Sequence, residues 1–164
     1  MAVTLRVGQA LAHNARVSNA APAQSQGHRV RERVRWSDVD AGGIIRWDAY
    51  TRLVELAETE LFRAAGFPYA TLWERLDIWL PRVQFHLDLR FPARLDDLLE
   101  TEMRVARIGR SSIRLEFAIR RPRTRVLAEG HLVIVSIGRR SGKAVKVPAE
   151  LVRALRRYCA PRAP

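Results

Sequence analysis

The sequence predicts an α+β fold in which a five-stranded antiparallel sheet wraps around one long central helix. Three observations predict it. A strand-period alternation begins at residue 28. A single helix-period segment with marked ends follows it. From residue 82 the period returns to two and holds through four further strands. One amphipathic helix facing one half-apolar sheet is the smallest arrangement that buries both stripes. The 164 residues suffice for one domain with a real core.

Residues 1–27 are rich in Ala, Ser and Gln and contain no acid, so they read as a flexible N-terminal tail, with the composition of a transit peptide as the other reading. A single domain is expected over residues 28–160. Its first strand sets Val30, Val34 and Trp36 on one face and Arg29, Arg31, Arg33 and Arg35 on the other. A turn-like Ser-Asp-Val-Asp-Ala-Gly-Gly leads to Asp48, a good N-cap. The helix then runs from about residue 49 to 65 and closes at Gly66. Tyr50, Leu53, Val54, Ala57, Leu61 and Ala64 form its apolar stripe. A short second helix fits residues 68–76.

After Pro81, Val83, Phe85, Leu87, Leu89 and Phe91 alternate with polar residues, as do Met103 and Val105, and then Ile113, Leu115, Phe117 and Ile119. Residues 126–137 are apolar on both faces, as in a central strand. Pro148 opens a C-terminal helix carrying Leu151, Val152, Leu155 and Tyr158. The long helix covers only part of such a sheet, so a homodimer or homotetramer is expected to bury the remainder.

Composition removes several classes of function. No apolar run approaches the ~18–20 residues of a membrane span. The one cysteine, Cys159, excludes an internal disulfide framework and a cysteine-clustered zinc site, and fits a reducing cytoplasm. Charge is unevenly placed. The net charge is +12, yet residues 31–103 hold 10 basic and 14 acidic residues, while residues 104–164 hold 16 basic and 3 acidic. Such a block calls for a polyanion: nucleic acid, lipid headgroups in a peripheral membrane contact, or a phosphate-rich ligand. Nucleic acid is not expected, because the basic third has only two aromatic residues, Phe117 and Tyr158, each placed toward a core.

The segment richest in chemistry is Asp38-Val39-Asp40-Ala41-Gly42-Gly43-Ile44-Ile45. Two acids and a Gly pair run directly into a helix start. Glycines let backbone approach a ligand, and free helix N–H groups can hold a developing negative charge. A carboxylate beside such donors is what acyl transfer needs. The plainer reading is a turn between strand and helix. Other motifs fail. No Gly-x-Ser-x-Gly elbow occurs, and the segment from Gly138 to Lys143 is one residue short of a phosphate loop. His13, His28, His86 and His131 lack metal-ligand spacing.

The run Arg35-Trp36-Ser37-Asp38-Val39-Asp40-Ala41-Gly42-Gly43-Ile44-Ile45, with Thr59-Glu60-Leu61-Phe62-Arg63 on the helix and Pro92-Ala93-Arg94-Leu95-Asp96-Asp97-Leu98-Leu99 downstream, resembles the signature of hot-dog-fold acyl-CoA thioesterases. These belong to the 4-hydroxybenzoyl-CoA thioesterase superfamily, and the YbgC-like, Tol-Pal-associated branch is the most similar. The resemblance covers roughly residues 30–155. It implies a homo-oligomer with sites at the dimer interface, an acyl-CoA substrate and no cofactor or metal. Asp40 matches the catalytic carboxylate, acting as nucleophile or as general base for water. Trp47 matches the helix-start position whose backbone N–H helps form an oxyanion hole. That branch has a Tyr-His pair where this chain has Arg46-Trp47, so any side-chain role of the histidine is lost. Gly42 and Gly43 fall in the substrate-binding turn. Glu55 and Glu60 match acids on the central helix, both with a structural role or as a polar lining of the site rather than in direct chemistry. Arg110, Ser111 and Ser112 fall where relatives meet the nucleotide end of coenzyme A, although a plain hairpin turn explains them equally well. Acyl carrier protein thioesters are the nearest alternative substrates. A non-catalytic protein using its basic third on nucleic acid or anionic lipid is the rival from another class.

Overall fold

A computed structural model describes residues 27–159. The expected tail lies outside the described residues, except for Gly27. The chain forms β1 (His28–Arg33), α1 (Trp47–Ala64), α2 (Tyr69–Leu76), β2 (Ile78–Trp79), β3 (Arg82–Leu89), β4 (Leu98–Ile108), β5 (Ser112–Arg120), β6 (Val126–Val135), β7 (Ile137–Gly138) and α3 (Ala149–Leu155). Five strands make one antiparallel sheet in the order β1-β4-β5-β6-β3, and β2 pairs with β7 in a small separate ribbon. The expected α+β sheet around one long helix is therefore present. No helix among the described residues is long and apolar enough to cross a membrane.

Helix α1 lies on the inner face of the sheet. Tyr50, Leu53, Val54, Ala57 and Leu61 join Met103, Val105, Leu115, Ile119 and Leu132 in one buried core. The helix ends as its sequence specifies. The Gly66 N–H donates to the Arg63 carbonyl and the Phe67 N–H to the Phe62 carbonyl, the paired bonds of a Schellman closure, with both Phe62 and Phe67 buried. Its start differs from expectation. Helical geometry begins at Trp47 with Arg46 as N-cap, and Asp48 turns back to pair with the Arg46 guanidinium instead of capping. At the far end Ala64 is exposed, and the stripe is completed by Phe62.

Two strand expectations also change. Trp36 is 79% exposed, because the chain leaves β1 at Arg33 and enters a 3-10 turn over Trp36–Asp38, which ends the alternation. The stretch from residue 126 forms β6, next to the sheet edge, and β5 holds the centre. The edge itself is β3. There Val83 is 60% and Leu89 52% exposed: α1 meets this edge at Arg82, through Glu58, and leaves these two side chains uncovered.

Gly130 fixes how β3 meets the sheet. A Cβ at this position would stand 2.0 Å from the His86 carbonyl oxygen and 2.9 Å from Phe117 Cζ. Phe85 stacks on Phe117 at 5.8 Å between ring centroids, so neither wall can retreat freely. Gly130→Ala is expected to cost about 2 kcal/mol or more in urea unfolding, as overpacking does. An unchanged midpoint would show that the strands do not approach this closely in solution.

Candidate active site

The Asp-rich turn is a tight hairpin. Val39 bridges to Ile45 and Ile44 to Arg94, while the Asp40 N–H donates to the Ile44 carbonyl at 3.0 Å. The Gly43 N–H returns to the Asp40 carbonyl at 3.0 Å, and Gly43 itself sits at φ +69°, a left-handed conformation that suits glycine. The side chain of Asp40 is exposed and half-anchored. Its Oδ1 accepts from the Gly42 N–H at 2.8 Å and more distantly from Ile44. Its Oδ2 accepts no bond from the described residues. The carboxylate is thus aimed by its own loop and keeps one oxygen available.

The second acid of the pair works differently. Asp38 is buried, accepts from the Arg35 N–H at 2.9 Å, and is gripped by the Arg52 guanidinium from the second turn of α1. Glu32 holds Arg35 and Arg52 together, at 2.6 and 3.5 Å. This network ties the hairpin to the helix. Arg52→Ala would leave a buried carboxylate without its cation and is expected to cost about 3 kcal/mol. A loss below about 1 kcal/mol would class the contact with exposed ion pairs.

The helix start lies against the same hairpin. The Arg46 N–H donates to the Asp38 carbonyl at 2.8 Å and its guanidinium to the Ser37 carbonyl at 3.0 Å. No side chain caps α1, and the Trp47 N–H has no acceptor among the described residues. The Trp47 indole is 70% exposed. Asp48 sits in the first turn, but hydrogen bonding to Arg46 holds its carboxyl below the usual range and its charge is matched in place. An anion arriving at the Trp47 N–H therefore meets the positive helix end beside a neutralised carboxylate.

The match of the thioesterase-like superfamily model to residues 34–155 decides the family. The chain belongs to the thioesterase-like superfamily. It is 30% identical over 119 residues, 73% of this chain and 87% of the relative, to a Haemophilus influenzae protein named acyl-CoA thioesterase YbgC. To an Escherichia coli protein named acyl-CoA thioester hydrolase YbgC it is 27% identical over 120 residues, 73% of this chain and 89% of that one. Among solved structures it is similar to a Pseudomonas aeruginosa protein at 27% identity and a TM-score of 0.73, covering 85% of this chain and 96% of that chain. A 1,4-dihydroxy-2-naphthoyl-CoA thioesterase from Synechocystis shares the fold, at 17% identity and a TM-score of 0.73 over 78% of this chain and 94% of that one. The sheet around its helix is the hot-dog fold. Thioester hydrolysis is the reaction class of this superfamily member.

The other candidate residues are spread over the superfamily domain. Glu55 is exposed and lines a groove of about 170 Å³ with Thr51, Val54, Glu58, Arg82 and Phe85. Glu60 pairs with Arg63 at 3.1 Å on the helix surface. Arg110, Ser111 and Ser112 form the β4–β5 turn, whose carbonyls accept from Val147 and Ser136. That turn is at the opposite end of β4 from the Asp40 hairpin, about 33 Å away at ~3.3 Å per residue. One chain does not bring the two together.

Glu58 was not among the candidates, yet it is fully buried in that groove. Tyr69 donates its hydroxyl to Glu58 at 2.5 Å and Arg82 its Nε at 2.7 Å. Burial, and then the facing carboxylate, push the Tyr69 phenol well above its usual range, so it stays a donor. The sequence carried a signal: Glu58 interrupts the apolar stripe between Val54 and Leu61. An acid there has to find partners inside.

Proposed function

We propose that the protein hydrolyses acyl-CoA thioesters to the free acid and coenzyme A. The observation that carries this reading is the Asp40 carboxylate, with one anchored and one free oxygen, on the hairpin that packs against the start of α1 and its unpaired Trp47 N–H. The free Oδ2 serves either to attack the thioester carbonyl carbon or to take a proton from a water that attacks that carbon directly. The first route gives an acyl-aspartyl anhydride, which water then hydrolyses to the free acid and Asp40. In both routes the carbonyl oxygen gains negative charge. The Trp47 N–H and the helix end stabilise it there, and the thiolate of coenzyme A leaves.

The working unit in this reading is a homodimer formed along β3. That edge combines unpaired backbone groups with the exposed Val83 and Leu89, which a second copy would cover. Two-fold pairing of antiparallel edges reverses one sheet relative to the other. The Asp40 end of one protomer then lies beside the Arg110 end of the next, which reconciles two candidate regions that one chain keeps apart. Arg110, Ser111 and Ser112 would meet the coenzyme A phosphates there.

Arg110→Ala is expected to raise KM for an acyl-CoA about tenfold, the worth of one charge-assisted hydrogen bond. KM for the matching acyl-pantetheine, which lacks the nucleotide, should hardly move. Equal effects on both substrates would return this turn to a plain hairpin. A higher kcat/KM for the same acyl group on an acyl carrier protein would replace the coenzyme A assignment.

A further inference from the structure

Six cations crowd the end of the sheet opposite Asp40, and none is paired with a carboxylate among the described residues. Arg107 and Arg110 belong to the β4–β5 hairpin, and Arg139, Arg140, Lys143 and Lys146 to the segment between β7 and α3. The two segments are stitched together, the Val147 N–H donating to the Arg110 carbonyl at 2.8 Å and Ser136 N–H to Ser111 at 2.8 Å. Neither residues 106–112 nor residues 137–147 contain an acid. The contrast with the outer sheet face is sharp. There Arg29, Arg31, Arg90 and Arg104 each meet a glutamate. Lys143 and Lys146 are also the only lysines in the chain.

An aromatic residue stands beside this cluster. Trp79 pairs with Ile137 across the β2–β7 ribbon and is exposed, with the Arg139 guanidinium 5.0 Å from its ring centroid. We propose that this end of the molecule docks on an anionic lipid bilayer, the loop cations meeting headgroup phosphates and Trp79 lying at the interface. The charge complementarity is that of a surface. Cations on adjacent loops, interspersed with Ser and Gly, can face a plane of phosphates, and neither segment carries a helix among the described residues that could enter a nucleic-acid groove. Tryptophan favours the boundary between water and hydrocarbon. Each cation held near an anionic membrane strengthens binding by a factor of about five. The inference does not depend on the hydrolase reading, because only Arg110 is shared with it.

The test is sedimentation of the full chain with vesicles of equal parts phosphatidylcholine and phosphatidylglycerol, against phosphatidylcholine alone, at about 0.1 M salt. The wild-type protein should sediment with the anionic vesicles only and be released as salt rises. A variant carrying Arg140→Gln, Lys143→Gln and Lys146→Gln changes only exposed side chains. It should lose about 10²-fold in partitioning and keep its turnover of a soluble acyl-CoA. Equal sedimentation with both vesicle types, no sedimentation, or unchanged partitioning of the variant would overturn the proposal. Tighter retention by duplex DNA or by an acidic protein at the same salt would assign the surface to that partner and overturn it as well.

Discussion

Asp40→Asn is expected to lower kcat by at least ~10² while the protein stays folded and associated. The substitution is nearly isosteric. Its retained carbonyl oxygen can still accept from the Gly42 N–H, so the hairpin keeps the bond that aims the side chain. The change falls on the free oxygen, which becomes an amide nitrogen able neither to attack a carbonyl nor to take a proton from water. A circular dichroism spectrum and unfolding midpoint matching wild type would separate lost chemistry from lost structure. Turnover near the wild-type rate would remove Asp40 from the mechanism.

The second large effect is expected at the β3 edge. Replacing Val83 and Leu89 together by aspartate should convert the proposed dimer to an 18.7 kDa monomer in light scattering and reduce activity at least ~10²-fold. Both side chains are mostly exposed, so the protomer core loses little. A charged pair on this face opposes a second copy, as inward-pointing charges do on natural edge strands. An associated variant would place the interface elsewhere. A monomer with full activity would show that a single chain holds a complete site, and the pairing of the Asp40 and Arg110 ends would fall with it.

Much of this architecture was legible because period and punctuation are local properties. The alternation from residue 82, the stripe from Tyr50 to Leu61 and the Gly66 closure each report on neighbours a few residues away. The misread helix and strand ends depend on which of several nearby side chains wins a local bond, which period and punctuation do not rank. Trp36 continues the alternation of β1, but Arg35 and Asp38 fold the chain into a 3-10 turn there. Asp48 has the identity of an N-cap, yet Arg46 takes that place and draws the Asp48 carboxylate back to itself. The site shows the same division. Asp40 and Trp47 were visible as an acid and a helix start at fixed spacing. That Asp38 is buried under Arg52, and that Glu58 is held by Tyr69 and Arg82, depends on partners 14, 11 and 24 residues away. The distance between Asp40 and Arg110 follows from the length and direction of β4, which a motif does not carry.

The most direct test of the account is steady-state release of free thiol by the purified wild-type protein from a panel of acyl-CoA thioesters, short and long, aliphatic and aromatic. At least one thioester should turn over well above the buffer rate, with one equivalent of acid formed per thiol and with Asp40→Asn reducing that rate by ~10² or more. No thiol release above the buffer rate from any acyl-CoA, by protein shown to be folded and dimeric, would contradict it.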